Sequence, residues 1–141
     1  MIRKYEATDI EGIIEVWYEA SLIAHPFLDS DFIEKEKRNI RELYIPNTKT
    51  WVFSKKNVVE GFISMMGNEV GAIFVRPEKH GQGIGKTLMD HVGQFHGSLE
   101  VDVFKDNKIG RKFYDKYGFK AVKEHIHEET KRSLLRMEFN K

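Results

Sequence analysis

The sequence has no cysteine and only three prolines, and no apolar run approaches the roughly 20 residues that span a bilayer. Without cysteine there is no disulfide scaffold, no thiolate zinc site and no cysteine nucleophile. With few prolines and no Gly/Ser-rich stretch there is no linker, and 141 residues suit one domain, 1–141. An excess of one charge is also missing: 23 Lys and Arg face 22 Asp and Glu, a net charge of +1. A general nucleic-acid binder is more basic than that. Residues 1–6 read as a strand with no apolar signal-peptide core behind them. The expectation is a cytoplasmic protein with neither nucleic acid nor membrane as partner. What the chain does have is apolar mass, 40% of its residues with ten Phe, enough for a core.

Residues 2–7 form a strand candidate. Residues 8–11 have the spacing of a capping box, with Thr8 accepting from a free amide and Glu11 reaching back. Ile10, Ile13, Ile14 and Trp17 then recur at intervals of three and four, one apolar helix face, until Ala24-His25-Pro26-Phe27 interrupts it. A charged second helix is expected from Asp29 or Ser30 to about Tyr44, with Phe32, Ile40, Leu43 and Tyr44 inward and Pro46-Asn47 at its end. The period then changes. Stretches 50–53, 58–66 and 70–75 are strand-like, with connections short enough for antiparallel neighbours, and Pro77 stops the third ladder. A helix over 84–95, a strand over 99–104, a helix over 107–117 closed by Gly118, and a hairpin of 119–127 with 134–139 complete a mixed α/β domain.

Between the third strand and the next helix stands His80-Gly81-Gln82-Gly83-Ile84-Gly85-Lys86-Thr87. Successive glycines let a backbone curl tightly and let a ligand approach the main chain. The first amides of a helix lack internal partners, and with the helix dipole they favour a phosphate or pyrophosphate. A connector that binds nothing is the alternative. Two phosphate motifs fail by counting. A P-loop ending in Gly85-Lys86-Thr87 needs its first glycine at His80. The dinucleotide fingerprint is G-x-G-x-x-G, whereas Gly81, Gly83 and Gly85 make G-x-G-x-G.

Residues 73–89, from Ile73-Phe74-Val75-Arg76-Pro77 through the glycine turn, resemble the acetyl-CoA signature of the GCN5-related N-acetyltransferases, the GNAT superfamily. That signature is an apolar strand, often a Pro, then Arg or Gln, two residues, Gly, any residue, and Gly or Ala. Gly83 and Gly85 match; His80 stands where Arg or Gln is usual. Downstream, Asn107-Lys108-Ile109-Gly110-Arg111-Lys112-Phe113-Tyr114, followed by Gly118-Phe119, resembles the family's second motif, with Gly110 in place of the usual Ala. A mid-helix Gly costs about 1 kcal/mol relative to Ala, so a close contact is expected there. Ile2-Arg3, Trp17, His25-Pro26-Phe27 and Trp51-Val52 are similar to a subgroup of small bacterial stand-alone members.

The resemblance implies the GNAT-like (acyl-CoA N-acyltransferase) α/β fold, a mixed, mostly antiparallel sheet of about seven strands flanked by about four helices. It implies an N-acetyltransferase with acetyl-CoA as acetyl-donor cosubstrate and direct transfer to a primary amine: a protein lysine, a protein N-terminus or a small molecule. A non-catalytic CoA-binding module that regulates a partner is the alternative. The implied pantetheine contacts are Phe74, Val75 and Asn107. The implied pyrophosphate contacts are the amides of Gly81, Gln82, Gly83, Ile84, Gly85 and Lys86, and His80 is a further implied cofactor contact. Tyr114 is the implied acid for the departing thiolate; the residue alone reads as a core aromatic. His25 and Phe27 fall where the family places acceptor contacts, and His25, Glu60 and Glu69 are candidate bases. No metal is expected, since His125 and His127 share a strand face without a third ligand spaced nearby. The seven basic residues against two acidic ones in 105–123 read as an attraction for the anionic cofactor or as a solvated helix face. Monomer and homodimer are both open.

Overall fold

The computed structural model describes residues 1–141. Strand β1 (Ile2–Lys4) runs through a 3-10 turn at Ala7–Asp9 into helix α1 (Ile10–Ala24). The capping box lies two residues before the expected one, between Glu6 and Asp9. Asp9, not Thr8, makes it: Asp9 Oδ2 accepts from the Glu6 amide at 2.8 Å. Arg3 grips the same carboxylate with two bonds of 2.8 and 2.7 Å, tying β1 to the helix start. Glu11 turns outward to pair with Arg41. Helix α1 buries Ile13, Val16, Trp17 and Ala20; Ile10 and Ile14 of the expected face are half-buried against the same cluster.

Helix α2 (Ser30–Asn39) is capped by Asp29, whose carboxylate accepts from Phe32 N–H at 2.8 Å. It continues through a π turn at Ile40–Tyr44 and a 3-10 turn at Ile45–Asn47. The π turn widens the period, so Ile40 and Ile45 fall inward together. Leu43 and Tyr44, expected inside by 3.6-residue counting, are 51% and 38% exposed.

The strands that follow are β2 (Lys49–Lys55), β3 (Val58–Met66), β4 (Glu69–Val75), β5 (Ser98–Phe104), β6 (Lys120–Ile126) and β7 (Ser133–Asn140). Helix α3 (Ile84–Gly93) crosses from β4 to β5, and α4 (Lys108–Tyr117) from β5 to β6. The seven-stranded sheet has the order β1-β2-β3-β4-β5-β7-β6, with β4–β5 as its single parallel pair. The resemblance therefore foretold the fold class correctly. Two core clusters lie on either side. One packs α1 and the 33–45 segment on Val52, Val59 and Phe62. The other packs α3 and α4 on Ile63, Val101, Phe119 and Met137.

One irregularity governs the middle of the sheet. Ser64 pairs with Ala72 but Met65 with Val70, so β4 carries one extra residue, Gly71. Strand β4 meets β5 only at Glu69↔Glu100 and Val70↔Val101. The parallel pairing stops at the bulge, which bends the strand that carries it.

The Asp9 carboxyl is held below its ordinary value, chiefly by the Arg3 hydrogen bonds and against the effect of burial. Replacing it should destabilise the protein by about 2 kcal/mol at neutral pH, the scale of lost charge-assisted hydrogen bonds. A depressed carboxyl contributes stability above its unfolded-state value and loses it as pH falls through the native one. Urea unfolding of wild type and Asp9→Ala should therefore differ most above pH 5 and converge as pH drops below about 4.

Candidate active site

Beyond Gly71, β4 has a ladder partner on its β3 side only. Arg76 N–H donates to Glu60 O on that side at 2.8 Å. Alternation along an antiparallel pair then turns the main chain of Phe74 toward β3, and that of Val75 into the gap left by β5. The motif pointed to both residues equally; the register separates them. The Phe74 ring lies on the α1 side, 6.5 Å from Trp17 and 6.3 Å from His25 between ring centres. The Val75 carbonyl accepts from His80 Nε2 at 2.9 Å, which leaves the Val75 amide facing the gap.

The chain then turns over Pro77–Lys79 into the glycines. Arg76, which sequence reading passed over, anchors this turn. It is 8% exposed, donates from Nε to Val59 O at 2.8 Å, and pairs with Glu15 and Glu19 of α1. Gly81 and Gly83 have φ of +82° and +83°, which only glycine adopts without strain, and a Cβ at either would meet open space. No amide from Gly81 to Lys86 donates to a protein acceptor, and the first bond of α3 is Thr87 N–H to Gly83 O at 3.0 Å. Six consecutive N–H groups thus stand free at a helix N-terminus, an arrangement suited to an anion. Gly85 serves packing: a Cβ there would come within 2.9 Å of Phe113 on α4.

Across the gap stands the start of α4. Asn107 is the N-cap, its Oδ1 accepting from Gly110 N–H at 2.8 Å. Its Nδ2 lies 3.2 Å from His25 Nε2. The close contact expected at Gly110 is with this side chain, since an added Cβ would fall 2.5 Å from Asn107 Nδ2. Tyr114 follows Asn107 by seven residues, two turns, and so shares its helix face. It is 7% exposed and packs on Phe113 and Phe119. Its hydroxyl is not among the fully enclosed orphan polar atoms, which are Ser21 Oγ and His125 Nδ1. Burial pushes the phenol above its ordinary value of 10, so it is protonated at neutral pH.

His25 caps the end of α1 and lies between the two strands, with ring centres 5.4 Å from Phe104 and 5.8 Å from Phe27. Burial pushes its imidazole down to about 4, so the ring is neutral at pH 7. A base that weak, with Nε2 already facing an N–H donor, is poorly suited to take a proton from an ammonium group. The carboxylate candidates are engaged as well. Glu60 is 6% exposed and paired with Lys79 at 3.3 Å. Glu69 pairs with Arg136 at 3.0 Å.

Phe27 lines a cavity of about 430 Å³ with Phe32 and Lys35 of the α2 region and Glu129, Thr130 and Arg132 of the β6–β7 turn. Arg132 stacks over Phe27, 5.0 Å from its ring centre, and donates to the Phe27 carbonyl at 3.3 Å. The turn residues come from about 100 positions further along the chain, and no local pattern marked them. His25 is not part of this lining. Of the basic run at 105–123, Lys105 pairs with Glu124, while Lys108, Lys112 and Lys116 form no ion pair and line the outside of α4.

Known proteins resemble this chain in sequence and in architecture. A family model described as Acetyltransferase (GNAT) domain matches residues 46–121. The peptidyl-lysine N-acetyltransferase YiaC of Escherichia coli strain K12 is 33% identical over 123 residues, 86% of this chain and 84% of that protein. The peptidyl-lysine N-acetyltransferase YjaB of the same strain is 26% identical over 122 residues, 86% and 82% of the two chains. The solution structure of apo YjaB from Escherichia coli superposes with a TM-score of 0.89 at 23% identity, over 99% of this chain and 96% of that one. The PaiA N-acetyltransferase of Thermoplasma acidophilum, in complex with coenzyme A, does so with a TM-score of 0.77 at 24% identity, over 100% and 98%. At such identities the structural matches speak to architecture, and the domain model with YiaC speaks to kinship. The chain belongs to the GNAT family of acetyltransferases, and its activity is the acetyl-CoA-dependent transfer of an acetyl group to an amine.

Proposed function

We propose that the acceptor amine is a lysine side chain of a protein, and that transfer is direct, with Tyr114 as the acid. The observation that carries the transfer chemistry is the row of six free amides beside the gap that β4 opens from β5; Tyr114, a buried phenol on the helix face of Asn107, is the acid this reading assigns. The protein-lysine reading is supported by what YiaC and YjaB are named for, and by the mixed charge of the cavity beside Phe27. Asp31 and Glu129 there, with Lys35 and Arg132, suit a polypeptide on either side of the acceptor.

In this reading the amides of residues 81–86 hold the pyrophosphate of acetyl-CoA, and His80 fixes the turn by its bond to Val75 O. The pantetheine arm replaces β5 as the neighbour of β4. The Val75 N–H polarises the thioester carbonyl as negative charge develops on its oxygen. The amine nitrogen forms its bond to the carbonyl carbon and the C–S bond breaks. Tyr114 O–H hydrogen-bonds to the sulfur and gives it the proton. The dry surroundings that raise the phenol also raise the proton affinity of the thiolate, so transfer between them remains feasible. The ammonium gives one proton to water before it attacks and the nitrogen loses a second after the bond forms; one of these returns through water to the Tyr114 phenolate, so the net release is one proton.

Three measurements test this. Tyr114→Phe should lower kcat about 100-fold or more, the scale of general acid catalysis, while the Kd for acetyl-CoA by calorimetry stays within about threefold. Comparable loss of binding would make the residue structural. Gly83→Ala places no atom in contact but disfavours φ of +83° by about 1–2 kcal/mol. It should weaken acetyl-CoA binding up to about tenfold as the amide row disorganises, with the fold retained by circular dichroism. For the acceptor, lysine peptides with blocked N-termini should gain acetyl groups by mass spectrometry. Unmodified peptides alongside acetylated small amines or free N-termini would refute the lysine assignment.

A further inference from the structure

Asn107 has one side chain and two commitments. Its Oδ1 accepts from Gly110 N–H at 2.8 Å, and its Nδ2 lies 3.2 Å from His25 Nε2. The first bond dictates the second. A main-chain N–H needs an acceptor, so Oδ1 faces Gly110 and the NH2 group faces His25. Nε2 must then accept, which puts the imidazole proton on Nδ1 of a neutral ring. Aromatic edges from three elements hold that ring: Phe27 after α1, Phe74 on β4 and Phe104 on β5, with centroids 5.8, 6.3 and 5.4 Å away. Room for the amide exists because position 110 has no Cβ; one there would stand 2.5 Å from Asn107 Nδ2.

The geometry points to His25 as a positioning residue: a neutral, Nδ1-protonated imidazole, wedged between the diverging strands, that holds the Asn107 amide in one orientation at the mouth of the gap. Through the N-cap it also fixes the first turn of α4, and with it the helix face that presents Tyr114. His25 thereby acts on the coenzyme side of the reaction, through Asn107, rather than on the acceptor amine. This rests on the reading that the gap takes acetyl-CoA, but the hydrogen bond itself exists without ligand and is observable separately.

The test combines a tautomer measurement with a rescue. In the unliganded protein, a long-range 15N–1H correlation spectrum should show His25 as the Nδ1–H tautomer. Asn107→Ala and Gly110→Ala should each shift it toward Nε2–H. His25→Leu, which keeps apolar volume, should raise KM for acetyl-CoA about tenfold, the scale of one lost hydrogen bond to a neutral partner. His25→Gln should restore most of that loss, because its Oε1 accepts from Asn107. His25→Leu added to Asn107→Ala should cost little more than Asn107→Ala alone, since the bond between them is already gone. A packing role alone predicts the reverse order, with Leu tolerated better than Gln. An Nε2–H tautomer in the wild type, or Leu equal to Gln, overturns the positioning role and leaves the acetyltransferase reading intact. The expected tautomer in a protein that calorimetry shows does not bind acetyl-CoA overturns both.

Discussion

Everything in this domain follows from a missing ladder. Buried strands satisfy their N–H and C=O groups against neighbours, and a strand edge left open inside a sheet is normally costly. Here β4 parts from β5 after two residue pairs, at the bulge of Gly71, and the outer edge from there to Val75 faces no strand. A ligand that carries its own amides along an extended arm can complete that edge. Pantetheine has this chemistry, which is the ground for the proposal that acetyl-CoA lies along β4.

The elements on either side hold the gap at its width. Arg76 fastens the end of β4 to β3 through Val59 O and to α1 through Glu15 and Glu19. His25 and Phe104, with Phe27, fill the splay on the α1 side with edge-to-face ring contacts. Gly85 lets Phe113 close on the first turn of α3, so α4 and the amide row are positioned against each other directly. Small residues therefore do three different things along this path: bend a strand, adopt left-handed turns, and permit close approach.

Burial sets the protonation states with one rule and two consequences. A group leaving water disfavours its charged form, so the Tyr114 phenol rises and the His25 imidazole falls. Both are neutral at physiological pH. For a phenol that means a proton to give; for an imidazole it means a lone pair to accept with. The same desolvation holds the phenol firmly protonated and removes the imidazole from the list of useful bases.

Local pattern was enough for much of this. Apolar spacing marked α1, the period change marked β2 to β4, and glycine placement marked the turn before α3, because each is a property of residues within a few positions of one another. Two motifs at the right separation were enough for the family. The register of 3.6 failed at Leu43 and Tyr44 because a π turn is set by how the segment packs, and the cap at Thr8 failed because Arg3, on another element, recruits Asp9. Gly71 stood in plain view as a lone glycine in a strand, the usual mark of a bulge, but its meaning depended on where β5 leaves. The union of His25 with Asn107, 82 residues apart, and of Phe27 with Arg132, 105 apart, needed the folded chain. Sequence alone determined the elements and the chemistry each could offer; tertiary structure decided which groups are free, which are paired and which are neutral, since those depend on neighbours that only folding supplies.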